Sequence, residues 1–198
     1  MNKGQNAECR IAVSVCALRL YVQISCARLC VCIAGLHLFL PGGIGCREVI
    51  QLRYPAQRPK AVACISGGRE HPGISGTVSF YPRNRSVLIV AEICGLPEND
   101  SGFFAFHIHE GGSCTGEGFR DTGGHFDPGG QPHPRHAGDL PPLLSRRGRA
   151  FLAVETDRFS IGEILGRTVV IHGGADDFHT QPAGNAGEKI ACGVIQKW

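Results

Sequence analysis

The sequence has little net charge, few aromatic side chains and no long uninterrupted apolar stretch. Its 198 residues carry a formal net charge of +3, and only 7% of them are aromatic. Nucleic-acid platforms combine a basic face with interleaved aromatic rings, so this composition argues against one. The longest clean apolar run, residues 29–40, is too short to span a bilayer as a helix. Membrane association is therefore expected only through the N-terminal segment.

Residues 1–59 form an N-terminal extension whose texture differs from the rest of the chain. Basic residues precede the apolar run at 29–40, and the turn-forming sequence PGGIGC follows it. This order is compatible with an export signal that has a long basic region. The alternative is a poorly ordered extension with no part in the working domain, which is expected to comprise residues 60–198.

The remainder is rich in turn-forming residues, since the whole chain contains 28 glycines and 12 prolines. From Lys60 onward, short apolar runs alternate with turn signals, which predicts a single all-β sandwich or barrel. Seven runs predict strands: AVACIS, GTVSFYP, SVLIVAEICG, FFAFHIHE, RAFLAVETD, RTVVIH and KIACGVI. GDLPPLLSRRG is expected to be a connection, and FSIGEILG one helical turn capped by Ser160 and Glu163.

One glycine-rich stretch, residues 107–140, gathers five of the nine histidines. His107 and His109 end a predicted strand two positions apart, so their side chains project from the same face and can share a metal ion. The set His125, His133, His136 and Asp139 supplies the nitrogen and oxygen ligands that suit tetrahedral zinc.

His172, at the end of another predicted strand, adds one more imidazole. Six histidines and one aspartate are one ligand short of two four-ligand sites, unless one imidazole bridges both metals. The alternative is a polar surface loop, which explains such a gathering poorly.

The segment from about residue 61 to 195 resembles the Cu,Zn superoxide dismutases. The resemblance is carried by FHIHEGGSCTGEG, GGHFDP, RHAGDL, VVIHGGADD and GNAGEKIACGVI, which occur in the family's order. It implies an eight-stranded Greek-key β-barrel, an Ig-like sandwich with long metal-binding loops. The implied copper ligands are His107, His109, His125 and His172. The implied zinc ligands are His125, His133, His136 and Asp139, with His125 as the bridge.

The resemblance also implies supporting residues. Asp176 matches an aspartate that links a copper histidine to a zinc histidine. Cys114 and Cys192 match a disulfide within the subunit, and such a bond implies an oxidising, extracytoplasmic compartment. The close spacing of the zinc histidines and the short segment 173–184 are typical of shortened, bacterial-type loops.

The implied reaction is dismutation of superoxide to dioxygen and hydrogen peroxide, with His125 carrying a proton and a cation guiding the substrate. Familiar members place an arginine just before ACGVI, whereas this chain has Lys189 there. A lysine keeps the positive charge but loses the planar guanidinium fork. A homodimer is compatible with the resemblance.

Two other functions compete with dismutation. A non-catalytic dismutase-like domain that binds zinc or transfers copper would be favoured by loss of a copper ligand, and none is lost. A zinc hydrolase needs a positioned acid or base near the metal. The sequence contains no H-E-x-x-H motif to supply one.

Overall fold

The computed structural model of the protein describes residues 58–198, which form eight strands joined by turns and long loops. The strands are β1 (Ala61–Gly67), β2 (Ser75–Pro82), β3 (Val87–Cys94), β4 (Phe103–His109), β5 (Asp139–Arg146), β6 (Arg149–Thr156), β7 (Thr168–His172) and β8 (Lys189–Lys197). A 3₁₀ segment spans Glu117–Thr122, and a short helix, α1, spans Ile161–Ile164. The predicted export segment lies outside the described residues.

The strands close into a barrel in the order β1-β2-β3-β6-β5-β4-β7-β8, and β8 pairs with β1. All neighbouring strands are antiparallel. The β3–β4 connection passes over β6 and β5, and the β6–β7 connection passes over β5 and β4, which is Greek-key topology. The predicted eight-stranded Greek-key barrel is confirmed.

The segment GDLPPLLSRRG is not a connection, because most of it forms β5, and the prediction from its pattern was wrong. Opposite β4, the register runs from Phe104–Leu143 to Phe106–Leu140, so Pro141 and Pro142 face a single residue, Ala105. Prolines are tolerated at such a bulge because no ladder hydrogen bond is required of them. The Ala105 N–H instead donates to Gly174 O at 2.7 Å.

Alternation along β4 determines where the histidines lie. Phe104, Phe106 and Ile108 are buried in the barrel core. His107 and His109 alternate with them and therefore project outward from the barrel wall. Both are nevertheless 2% exposed or less, because the long loops cover this part of the outer face. The candidate site thus lies between the wall and its covering loops.

The short helix α1 forms as its sequence predicts. The backbone N–H and the hydroxyl of Ser160 both donate to the Glu163 carboxylate at 2.7 Å. These bonds lower the pKa of Glu163.

In the part of the chain that the structure describes, no helix is long and apolar enough to cross a membrane.

Candidate metal centre

Two neighbouring strands and one bridge bring four histidines together. His107 and His109 lie at the end of β4, and His172 is the last residue of the adjacent strand β7. His125 joins them through an isolated β-bridge to His109. We call His107, His109, His125 and His172 the four-histidine group; one nitrogen from each lies within 4.8 Å of the others.

A second group is built by the loop that leads into β5. Its members are His125, His133, His136 and Asp139, and their ligand atoms also lie within 4.8 Å of one another. We call this set the His₃Asp group. The Asp139 carboxylate lies 2.7 Å from His125 Nδ1, 3.1 Å from His133 Nδ1 and 3.2 Å from His136 Nδ1. Three Nδ1 atoms therefore converge on one carboxylate.

His125 belongs to both groups and presents a different nitrogen to each. Its Nδ1 contacts Asp139, whereas its Nε2 is buried without a hydrogen-bond partner. The His107 and His125 rings lie 4.1 Å apart between centroids. One imidazole thus separates the two groups and has the geometry of a bridge.

Backbone carbonyls set the protonation of two rings in the four-histidine group. His109 Nδ1 lies 2.9 Å from Gly123 O, and His172 Nδ1 lies 3.1 Å from Gly187 O. A carbonyl only accepts, so each Nδ1 carries the proton and each Nε2 keeps its lone pair. The two Nε2 atoms face each other at 3.3 Å. Two lone pairs at that distance repel unless a cation lies between them.

Burial keeps the imidazoles of His107, His109 and His172 neutral. It lowers the pKa of His109 to about 2 and that of His172 to about 3, and neighbouring positive groups add to the effect. Burial is also the largest cause of the lowered pKa of His107. Neutral imidazoles with fixed tautomers are the form that binds metals.

Asp176 connects the two groups from behind. Its carboxylate oxygens accept hydrogen bonds from His107 Nε2 at 2.8 Å and from His133 Nε2 at 2.9 Å. Burial alone would raise the pKa of Asp176, but these bonds and one from the Phe178 N–H lower it to about 2. The carboxylate therefore fixes both rings with Nδ1 directed into the groups.

The donor atoms fit a metal in each group. Among the described residues, three buried side-chain nitrogens have no hydrogen-bond partner: His107 Nδ1, His125 Nε2 and His133 Nδ1. An unpaired buried polar atom costs about 1–3 kcal/mol. His133 Nδ1 faces the Asp139 carboxylate at 3.1 Å, acceptor to acceptor, a contact that a shared cation would relieve. Copper and zinc both suit imidazole ligands.

Comparison with known proteins agrees with this geometry. The profile of the copper/zinc superoxide dismutase family matches residues 74–195. The chain belongs to this family.

Relatives from several organisms are similar to the chain. Cu-Zn superoxide dismutase 2 of Aquifex aeolicus is 38% identical over 138 residues, covering 62% of this chain and 80% of that protein. The Cu-Zn superoxide dismutase of Deinococcus radiodurans is 37% identical over 144 residues, covering 62% of this chain and 78% of that protein. The extracellular Cu-Zn superoxide dismutase of Rattus norvegicus is 35% identical over 138 residues, covering 64% and 56%.

Lys189 is a fixed cation beside the four-histidine group of this superoxide dismutase family member. It pairs with His172 across β7 and β8. Its Nζ donates to Thr122 Oγ1 at 2.7 Å and to Gly123 O at 3.0 Å, and burial lowers its pKa. Gly123 O also accepts from His109, so the same carbonyl fixes the cation and a histidine of the group.

A disulfide joins Cys114, in the loop after β4, to Cys192 in β8, with Cα atoms 5.7 Å apart. Cys192 is 2% exposed and pairs with Val170 of β7. The bond therefore ties the loop that holds Thr122 to the barrel wall. This pairing is the one that the family resemblance implies.

Two residues that matter to the dismutase-like centre were not predicted from sequence. Gly184 has φ +66°, and a Cβ there would lie 2.0 Å from Asp176 Oδ1 and 2.7 Å from His133 Nε2, so a side chain would displace the carboxylate. Gln181 bonds to the backbone of His133. From the sequence, Gly184 could be identified only as a turn residue. No motif near Gln181 indicates a role for that residue.

Of the histidines in the described residues, two lie outside both groups. His71 Nε2 lies 3.5 Å from a Glu188 carboxylate oxygen. The His179 side chain is exposed and lies 3.4 Å from Asp177. His37 lies outside the described residues.

Proposed function

We propose that the four-histidine group holds copper, that the His₃Asp group holds zinc, and that His125 bridges them. The observation that carries the proposal is the set of three buried nitrogens without hydrogen-bond partners, which face these groups. The chain's activity is the dismutation of superoxide, in keeping with its family. Copper content measured together with the rate of superoxide decay tests the assignment.

Copper supplies the one-electron chemistry when it is bound, and the protein supplies geometry, protons and field. Asp176 and the carbonyls of Gly123 and Gly187 hold three imidazoles in fixed tautomers. His125 would hold a proton at Nε2 when that nitrogen is not a metal ligand, and would release it to reduced substrate while Nδ1 stays engaged beside Asp139.

Lys189 attracts and orients the substrate anion. Its ammonium is held by two acceptors close to His109 and His172, so the charge stands at a defined position. A localised cation raises the local concentration of a small anion, and the effect weakens as salt screens it.

Lys189→Gln is expected to lower kcat/KM for superoxide by roughly tenfold, about 1.4 kcal/mol of transition-state stabilisation, because the guiding charge is lost. The rate should also depend less on ionic strength. Lys189→Arg should exceed the parent rate because it adds a planar donor fork. The measurement is decay of pulse-generated superoxide at several salt concentrations, with copper occupancy determined for each variant.

The matched control is Lys197→Gln, which removes the same charge at the far, exposed end of β8. Its rate and salt dependence should stay at the parent values. If Lys189→Gln behaves like this control at equal copper loading, Lys189 is not the guiding cation.

We propose an extracytoplasmic location. The Cys114–Cys192 disulfide supports it, because such bonds persist mainly in oxidising compartments. One relative, from Rattus norvegicus, is named as extracellular.

We also propose a homodimer, supported by an exposed apolar row on the outer wall. Phe103, Leu144 and Phe151 are 40%, 58% and 55% exposed. Phe103 pairs with Leu144, and Leu144 and Phe151 flank the cross-strand pair Ser145–Ala150. Contiguous exposed apolar side chains mark association surfaces.

Phe151→Glu is therefore expected to convert the dimer to monomer in sedimentation velocity, because it places a charge in this row. Phe178→Glu is the control, since Phe178 is 49% exposed on the loop between β7 and β8 and belongs to none of the three strands that carry the row. A parent protein that sediments as a monomer, or two variants with equal effect, would contradict the assignment.

A further inference from the structure

We propose that Gln181 is a positioning residue for the zinc site, which it supports by holding the backbone of His133. The inference rests on the proposed metal assignment. It concerns a residue that contributes no atom to either metal group.

The Gln181 amide and the His133 backbone form a closed pair of hydrogen bonds. The His133 N–H donates to Gln181 Oε1 at 3.0 Å, and Gln181 Nε2 donates to His133 O at 2.7 Å. The side chain thus acts as one rung of a β-ladder between segments 48 residues apart. Only a primary amide of this length offers both an acceptor and a donor here, because asparagine is one methylene shorter and glutamate lacks the donor.

The segment that carries Gln181 also fixes the ring of His133. Asp176 Oδ1 accepts from His133 Nε2 at 2.9 Å. The segment is closed on itself by hydrogen bonds from the Asp177 N–H to Gly184 O at 2.9 Å and from the Gly184 N–H to Thr180 O at 2.7 Å. Ring and backbone of His133 are therefore held together by one closed loop.

This loop follows β7, whose last residue is His172 of the four-histidine group. The ligand His133 is thus positioned by a loop that begins at a member of the four-histidine group. Asp176 sets the direction of its Nδ1, and Gln181 sets the position of its Cα. If either fails, Nδ1 moves away from the point where the His₃Asp atoms converge.

The role of Gln181 is separable from general stability. Gln181 is exposed, so its replacement removes polar contacts and little apolar burial. Gln131 offers a matched comparison in the loop that leads into β5. It is also exposed, but its amide donates to Gly129 O, only two residues away, at 3.2 Å.

The test uses Gln181→Met, which keeps the side-chain length but has no amide, with Gln131→Met as the control. Zinc dissociation constants are measured by chelator competition on the full chain without copper, and copper dissociation constants separately. We expect Gln181→Met to raise the zinc Kd roughly tenfold and the copper Kd by less than about twofold. Gln131→Met should keep the parent's zinc and copper Kd. The urea midpoint of unfolding of both metal-free variants should also stay at the parent value.

Equal zinc affinity in the parent and Gln181→Met, or equal weakening in the two variants, would overturn the role of Gln181 and leave the metal assignment intact. A parent protein that binds no zinc would overturn both. Gln181→Glu should also bind zinc more weakly than the parent, because it loses the donor to His133 O.

Discussion

His125→Ala is expected to abolish dismutase activity and to weaken both metal sites. His125 is the one side chain shared by the two groups, with Nδ1 beside Asp139 and a buried, unpartnered Nε2. Loss of residues that only orient a ligand typically costs 10–100-fold in metal affinity, so loss of a shared ligand should cost each metal more than about a hundredfold. Titration with copper and with zinc, each followed separately, measures this.

His136→Ala is the informative comparison because His136 belongs to the His₃Asp group alone. His136→Ala should lower zinc affinity by a factor similar to that for His125→Ala and keep copper affinity within a few-fold of the parent value. His179→Ala, which changes an exposed histidine outside both groups, should match the parent for both metals. Equal loss of both metals in the His125 and His136 variants would mean that the sites are not divided as proposed.

Cys114→Ser is expected to lower the free energy of unfolding of the metal-free protein by about 4 kcal/mol. The Cys114–Cys192 bond closes a loop with a sequence separation of 78 residues, which constrains the unfolded chain strongly. The melting temperature should fall by on the order of 10 °C. Urea unfolding of metal-free parent and variant provides the measurement.

The Cys192→Ser variant and the double variant complete a thermodynamic cycle. If the two sulfurs act only as one bond, the double variant loses no more than Cys192→Ser alone. Additive losses would show that the sulfurs contribute separately. Peptide mapping without reductant, after expression in an oxidising compartment, should recover the two cysteines in one linked fragment. Recovery of both as free thiols would remove the disulfide as support for the proposed extracytoplasmic location.

Local pattern was enough to predict seven of the eight strands, because each is a short apolar run between turn signals. It failed at β5, where Pro141 and Pro142 argue against a strand. A bulge opposite Ala105 accommodates the prolines there, and a bulge depends on the partner strand rather than on local sequence. The count of eight came only from the family resemblance.

The site was predictable where chemistry and spacing coincide. His107 and His109 lie two apart on a strand, and the four residues of the His₃Asp group fall within one short segment, so both groups could be anticipated. The supporting contacts could not. Gly123 O serves both Lys189 and His109, and Gln181 reaches His133 across 48 residues, which no local signal encodes. Which metal each group holds stays a prediction.

The measurement that tests the central claim most directly is superoxide decay during copper titration of zinc-loaded protein. The account predicts that zinc-loaded protein alone leaves the decay of pulse-generated superoxide unchanged. The rate should then rise linearly with added copper and stop rising at one copper per chain, as the four-histidine group fills. Visible absorption of Cu(II) should saturate at the same point. A copper-loaded protein that leaves the decay unchanged, or a zinc-only protein that accelerates it equally, would contradict the account.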